Sequence, residues 1–179
     1  MRLSTFLLAI FLIASFGAKA CDAQSLLARQ IERVSETIVV FGDDQDGNFD
    51  FYPALSLRKY MLISGCAVTA EIEENSPKGE RVYGLTFDLA RTRLPDPNDN
   101  NSQQWGVLDL GEHGRQAMIW FDFLAPYTPT PHGDLPERWS IAPVERYNFV
   151  MEEMVDDEQP RRLLALLKQY QDKYCTFSG

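Results

Sequence analysis

The sequence predicts an α+β fold: an antiparallel β-meander of about five strands with an N-terminal and a C-terminal amphipathic helix. Two observations support this prediction. Between residues 62 and 151, five segments have the pattern of β-strands, with no helical pattern between them. Near each end, apolar residues instead recur every three or four positions.

The first twenty residues have the order of a secretory signal peptide. Arg2 gives a basic start, an apolar run covers residues 6–16, and a small-x-small cleavage site ends at Ala20. The apolar run is shorter than the roughly 20 residues that a membrane-spanning helix needs. We therefore expect residues 1–20 to be removed and residues 21–179 to form a single extracytoplasmic domain, periplasmic or extracellular.

Cleavage after Ala20 would leave Cys21 at the new N-terminus, and two interpretations of this cysteine stay open. The segment from Ala18 to Cys21 resembles a bacterial lipoprotein box, which implies lipidation of Cys21 and a membrane tether. That family usually has an aliphatic residue at the position of Ala18 and disfavours a charge at the position of Lys19. Ordinary signal-peptidase cleavage, without lipid, also fits this segment.

The first helix is predicted from Asp22 to about Thr37, where apolar residues at steps of four, three and four share one face. These residues are Leu27, Ile31, Val34 and Ile38. Either a short strand or the helix end follows at residues 39–41, before a polar stretch at 42–50.

The next two segments are predicted to form an antiparallel hairpin with a five-residue loop, Asn75–Gly79. In the first strand Thr69, Glu71 and Glu73 share the polar side. The apolar side of that strand contains Leu62, Cys66, Val68, Ala70 and Ile72. The second strand buries Tyr83, Leu85, Phe87 and Leu89.

A polar loop at 91–104 precedes a third strand, Trp105–Leu110, and a turn at 111–114. The fourth strand, Gln116 to about Leu124, is apolar on both faces, so we expect it to be central or covered by helices.

Residues 125–138 contain four prolines and are predicted to form an exposed, extended loop. A fifth strand follows from Trp139 to about Met151, with a bulge or an edge position at Pro143. Tyr127 and His132 of the loop are the candidate partner contacts, because aromatic side chains on a stiff loop form a recognition surface at low entropic cost.

The second helix follows the acidic segment 156–158, which complements the helix dipole, and has Pro160 in its first turn. Its apolar stripe contains Leu163, Leu167, Tyr170 and Tyr174 and should dock on the sheet.

Cys175 directly follows this stripe, so a disulfide to the inward-facing Cys66 would fix the helix end to the hairpin. Closure over 109 positions contributes about 4 to 5 kcal/mol by loop entropy, less any strain in the folded state. We therefore expect the pair Cys66–Cys175, with pairings through Cys21 as the alternatives.

No catalytic, cofactor or metal motif stands out. The acidic cluster at 43–50 is interpreted as a solvated turn, because a calcium loop counted from Gly47 lacks acids at its first and last ligand positions. His113 and His132 fall in turn or loop sequence without metal-ligand spacing, and there is no Gly-x-Ser-x-Gly elbow.

The favoured function is therefore a noncatalytic exported binding or accessory protein, without cofactor, whose ligand or partner is a protein or a small molecule. Its net charge of −9 falls to −11 when Arg2 and Lys19 are removed, which disfavours nucleic acid; a membrane is a partner only if Cys21 is lipidated. The alternatives are a small secreted hydrolase using carboxylates with His113 or His132, and a carrier of a small apolar ligand.

Overall fold

A computed structural model describes residues 23–40, 56–76, 79–99, 104–109, 115–136, 142–152, 154, 156 and 158–175. Residues 1–20 with the predicted signal peptide, Cys21, the acidic cluster at 43–50, His113 and Trp139 lie outside the described residues, so the predictions made for them stay open. Within the described ranges no helix is both long and apolar enough to cross a membrane.

The described residues form two helices, one near each end, and nine strands in two mostly antiparallel sheets. Helix α1 covers residues 23–35 and helix α2 is Gln159–Tyr174. The strands are β1 (Thr37–Val40), β2 (Ser56–Ser64), β3 (Ala67–Ser76), β4 (Gly79–Asp88), β5 (Thr92–Arg93), β6 (Trp105–Asp109), β7 (Arg115–Tyr127), β8 (Thr130–Gly133) and β9 (Val144–Glu152). A 3-10 turn, Leu89–Arg91, connects β4 to β5.

The larger sheet has the order β1-β2-β3-β4-β8, and every neighbouring pair is antiparallel. Because side chains alternate across a strand, each residue can be assigned to one face from its register. The inner face carries buried apolar residues such as Met61, Val68 and Phe87. The outer face carries most of the sheet's charged and hydroxyl side chains, among them Arg58 and Glu71.

Strand β7 is the centre of the smaller sheet. Strand β6 pairs with residues 115–119 of β7, and β9 pairs with residues 116–122 and 127. Because β6 and β9 pair with the same part of β7, they lie on its two opposite edges. Strand β5 pairs with residues 122 and 123 of β7, on the same edge as β6. Ala117, Ile119 and Phe121 of β7 are fully buried. The central position that the sequence predicts for this strand is confirmed.

Helix α2 completes the core, which both sheets and both helices share. Leu163, Leu164 and Leu167 are at most 1% exposed. Polar contacts position the helix at both ends: Gln159 donates to the carbonyl oxygen of Val34 at 2.9 Å, and Gln171 donates to that of Leu89 at 2.6 Å. The predicted stripe of α2 is thus confirmed as its buried face.

The predicted α+β class and antiparallel pairing are confirmed, but the strand count of about five is too low. The first predicted hairpin strand, which runs through Cys66, is in fact two strands, β2 and β3, joined by a turn at Gly65 and Cys66. Gly65 has φ +60°, a left-handed conformation that only glycine adopts without cost. This turn reverses the chain in the middle of what appears in the sequence as one continuous alternation.

Two loop predictions are also corrected. The hairpin loop is shorter than five residues, because Ser76 pairs with Gly79. Residues 125–138 are not an extended loop throughout: residues 125–127 finish β7, and Thr130–Gly133 form strand β8. Pro131 fits there because β8 is an edge strand, where a missing N–H need not break a ladder.

Candidate functional site on the outer face of the larger sheet

The candidate residues predicted from the sequence lie in different environments in the structure. Cys66 and Cys175 are joined by a disulfide, with Cα atoms 5.6 Å apart. Tyr127 is the last residue of β7, where its half-buried ring packs 5.2 Å from that of Phe123. His132 lies in the exposed edge strand β8 and is the one candidate whose side chain joins a polar network.

His132 reaches a buried carboxylate across the one intervening strand, β4. Its Nε2 lies 2.9 Å from Oε2 of Glu71, and the side chains are 49% and 7% exposed, respectively. The register places Tyr60, Glu71, Gly84 and His132 in one row across β2, β3, β4 and β8. The residue between Glu71 and His132 in that row is Gly84, so no side chain separates them.

Gly84 is required for this arrangement. A Cβ at this position would overlap the carbonyl oxygen of Ala70 and lie 3.0 Å from Cα of Glu71. Both atoms belong to the backbone of β3, which cannot move aside as a flexible side chain can. Strands β3 and β4 therefore approach each other as closely as they do only because residue 84 has no side chain.

Tyr60 connects Glu71 to a second carboxylate. Its hydroxyl is within hydrogen-bond distance of Oε1 of Glu71 and lies 2.7 Å from Oε1 of Glu73. A phenol donates one hydrogen bond at a time, so the two carboxyl groups share a single donor. Tyr60 and Glu71 are both 6% exposed, so the contact between these two residues is almost entirely away from water.

Arg58 supplies the positive charge of the network. It donates to Oε1 of Glu36 at 2.8 Å and to Oε2 of Glu73 at 3.0 Å, and its guanidinium lies 4.6 Å from the centre of the Tyr60 ring. The connected groups run from Glu36 through Arg58, Glu73, Tyr60 and Glu71 to His132. We call these six residues the outer-face network.

The protonation of the network follows from its contacts. Burial, followed by the hydrogen bonds to Glu71 and Glu73, raises the pKa of Tyr60 above its usual range, so the phenol stays neutral. The hydrogen bond from Tyr60, and then that from Arg58, lowers the pKa of Glu73. The hydrogen bond to Glu36 is the first cause that raises the pKa of Arg58, so the guanidinium remains charged.

The arrangement can orient His132 and hold it at the surface. Glu71 contacts Nε2 of the imidazole, which leaves the opposite ring nitrogen for a partner or a substrate. Among the residues that the structure describes, no group of three or more His, Cys, Asp or Glu side chains could hold a metal ion.

Sequence reasoning found part of this network. The polar side of β3, with Glu71 and Glu73, is visible in the sequence alternation, and His132 was a candidate. Arg58 and Tyr60 were missed because β2 was not recognised as a strand of its own. The available signal was the run of alternating side chains from Ser56 to Ser64 that ends at Gly65.

Comparisons with known proteins give no further guidance, since no family model, curated protein or solved structure matches the chain.

Proposed function

We propose that this chain is a noncatalytic binding protein that acts outside the cytoplasm and contacts a protein partner through strand β8. The β8 surface consists of the four residues Thr130–Gly133. The supporting observation is that all four are exposed while His132, in their midst, is tied to the buried Glu71. An exposed strand whose position is fixed by a contact to a buried residue is suited to recognition.

Two physical arguments favour β8 as a contact surface. Among the described strands, β8 is the last of its sheet and pairs with β4 alone, and an unpaired edge presents backbone groups to another chain. The contact with Glu71 and the pairing with β4 order the strand before a partner arrives, which lowers the entropic cost of binding. Pro131 has no N–H, so the side chains of Thr130 and His132 supply much of the recognition.

Charge indicates the kind of partner. The chain has 26 acidic and 17 basic residues, and the exposed Asp134 directly follows the β8 surface. A basic protein surface complements this charge, and salt should weaken the complex. We therefore expect a partner with lysine and arginine side chains at its contact site.

Site-specific photo-crosslinking tests this proposal. A photo-reactive amino acid at position 130 should capture one defined protein from an envelope extract, whereas the same group at Leu108, 43% exposed on β6, should not. The purified captured protein should then bind wild type, and His132→Ala should weaken binding by about tenfold, as for a central contact residue. Equal capture at both positions, or unchanged affinity of His132→Ala, would contradict the proposal.

A second candidate, a small secreted hydrolase, is favoured by the 2.9 Å contact between His132 and Glu71. In that case His132 would accept a proton from water and Glu71 would orient the imidazole. His113, the alternative histidine, lies outside the described residues. Hydrolysis of ester, amide or glycoside probes by wild type, with loss of activity in both His132→Ala and Glu71→Gln, would establish this function in place of simple binding.

A further inference from the structure

Strand β6 forms an outer edge of the smaller sheet. It pairs with β7 along one side, and no described strand pairs with it along the other. Natural edge strands are usually protected from other chains by charged side chains, proline or a bulge. The first four residues of β6, Trp105 to Leu108, contain no charge and no proline, and their register with β7 is regular. This edge is therefore open to pairing with another strand.

The hydrogen bonds to β7 show which backbone groups of β6 face outward. The carbonyl oxygen of Gln104, directly before β6, accepts from the N–H of Trp120 in β7 at 2.7 Å. In an antiparallel pair, residues alternately direct their backbone groups toward the partner and away from it. The even-numbered residues of β6 therefore bond to β7, whereas Trp105 and Val107 direct their N–H and C=O away from it.

Gly106 has no steric role within the described part of the chain. A Cβ at this position would meet no atom within 4 Å, and the residue is not one of the glycines with positive φ. Glycine within a strand lowers stability and often marks a place where another backbone approaches. Leu108, two positions later on the same side of the strand, is 43% exposed. An open position and an exposed apolar side chain thus lie next to each other.

A second copy of the chain fits this edge. If two β6 strands pair antiparallel about a two-fold axis at Val107, Gly106 of each copy lies opposite Leu108 of the other, and Trp105 lies opposite Asp109. The exposed leucine then packs over a backbone that has no side chain. Residues 105–108 bring no charge to the axis, which matters because copies of a chain with net charge −9 repel one another.

We infer that the chain forms a two-fold dimer in which the β6 strands of two copies join the smaller sheets into one. A strand of five residues is about 17 Å long, so the contact falls below the roughly 1,200 Å² of a standard interface and the dimer is weak. We expect a dissociation constant of about 10 to 300 µM. This contact does not involve the β8 surface and does not depend on the proposed function.

Analytical ultracentrifugation tests the inference on the purified Cys21→Ser variant, in which neither lipid nor an intermolecular disulfide at this position can produce dimers. Between about 5 µM and 1 mM, the mean mass should rise from one chain toward two. Salt should strengthen this dimer, because it screens the repulsion between acidic copies. That effect is opposite to the one expected for the β8 complex.

Amide hydrogen exchange locates the contact. Exchange at Trp105 and Val107 should slow as the protein concentration rises, because these N–H groups become bonded to the second copy. Exchange at Gly106 and Leu108 should stay unchanged, since these N–H groups already bond to β7.

Two variants test the geometry. Val107→Pro removes the outward N–H at the axis without removing a bond to β7, and should raise the dissociation constant by about tenfold or more. Leu108→Lys places two like charges beside the axis and should have the same effect. Leu124→Lys is the matched control, because Leu124 is 52% exposed and lies on β7 outside the segment that pairs with β6. It adds the same charge and should leave the association unchanged.

Three results would overturn the inference: the mass of a single chain at millimolar concentration, equal association of the two lysine variants, or slow exchange at Trp105 and Val107 at every concentration. The last result would mean that β6 is covered within one chain. If Val107→Pro does not fold, Leu108→Lys, at an exposed position, decides alone. In the crosslinking experiment, a photo-reactive group at Leu108 would join two copies of this chain, a product that differs in mass from the partner captured at position 130.

Discussion

Glu71 is a carboxylate that is almost fully buried on the side of its sheet that faces away from the apolar core. It has two described partners, Tyr60 and His132, and each reaches it from a different strand. Removing either partner leaves a buried carboxyl group with fewer hydrogen bonds, which costs more than the net value of the bond itself. At the scale of single residues, the fold depends on such shared contacts.

Tyr60→Phe should lower the free energy of unfolding at neutral pH by about 1 to 3 kcal/mol, because Glu71 and Glu73 lose their common donor. The pKa of Glu73 is lowered in the folded state, so its contribution is present above the usual glutamate pKa and is lost as pH falls through the lowered value. Tyr60→Phe should raise that pKa and make the loss of stability in acid less steep. Urea unfolding from neutral to acidic pH measures both effects.

Tyr174→Phe is the matched control, because its hydroxyl has no hydrogen bond to a described residue and its ring packs 5.1 Å from that of Tyr170. If Tyr60→Phe and Tyr174→Phe unfold at the same urea concentration at every pH, the hydrogen bonds assigned to Tyr60 are not important for stability.

Gly84→Ala should destabilise the protein by about 1 to 3 kcal/mol or more, because the new Cβ overlaps the backbone of β3. Gly106→Ala in β6 has open space around its Cβ and should leave the melting temperature almost unchanged. Thermal unfolding of the two variants compares them directly. Similar melting temperatures would mean that β3 and β4 do not approach as closely at Gly84 as described.

Sequence could identify the polar side of β3 but not the contacts made there. Glu71 and Glu73 were placed on one face by alternation, since the period of a strand depends only on local sequence. Their partners come from β2 and β8, and the register between strands depends on turns that were assigned wrongly. A one-residue turn error moves every partner, so the network could not be assembled from the sequence.

At the scale of whole elements, α2 is held by its apolar stripe and by amide side chains near both ends. Gln171 donates to the carbonyl oxygens of Leu89 and Thr92, at 2.6 and 2.7 Å, where the 3-10 turn leads into β5. Backbone carbonyls in such a turn lack the partners of a regular helix. The helix thus stabilises the turn in the segment that connects β4 of the larger sheet to β5 of the smaller sheet.

Gln171→Leu should therefore lower the free energy of unfolding by about 1 to 3 kcal/mol, because the carbonyls of Leu89 and Thr92 both lose the hydrogen bond from this side chain while the volume is kept. Gln169→Leu, two residues earlier and exposed, should change stability by less than about 0.5 kcal/mol. Chemical denaturation and amide exchange at residues 89–92 provide the measurements. Unchanged exchange there in Gln171→Leu would show that the turn is held by other contacts.

The disulfide joins the β2–β3 turn to the residue after α2. Replacing Cys66 and Cys175 together by alanine should lower the free energy of unfolding by up to about 4 to 5 kcal/mol, the loop-entropy value for a closure of 109 positions. Urea unfolding of the oxidised protein and of the double variant measures the difference. Reductant should destabilise wild type and leave the variant unchanged; an equal response would contradict the pairing.

The elements that sequence predicted correctly have strong local periodicity. Both helices, the antiparallel pairing of β3 with β4 and the central strand β7 belong to this group, because their patterns extend over several turns or alternations. Short strands such as β5 and β8 carry too few residues for a pattern, and the four prolines of residues 125–138 favour a loop on composition alone. Only pairing with a distant strand makes them strands.

At the scale of the whole molecule, the α+β class was predictable because two helical ends and an uninterrupted series of strands allow few other architectures. The division into two sheets was not, since it depends on which strands pair over long distances. The net charge of −9 of the printed sequence makes molecules of this protein repel one another, which favours solubility. The prediction that the protein acts outside the cytoplasm still depends on the first 21 residues alone.

Intact-mass measurement of the protein made with its own leader should give a chain that begins at Cys21, after loss of residues 1–20. Reduction should add two hydrogen atoms for the Cys66–Cys175 bond, and an added diacylglycerol would identify Cys21 as lipidated. A mass that retains the leader would refute export by this route. Cys21→Ser is the control, because it removes the lipidation site and keeps the disulfide.

Completion of the core by α2 has a consequence for the order in which the protein matures. A chain that emerges from its N-terminus cannot bury the inner faces of both sheets until residues 159–174 are available. During that interval Cys66 is without Cys175, and the earlier thiol that an oxidant could join to it is Cys21. The competing bond would then have to be exchanged for the native one, unless a thioether to lipid had already blocked Cys21.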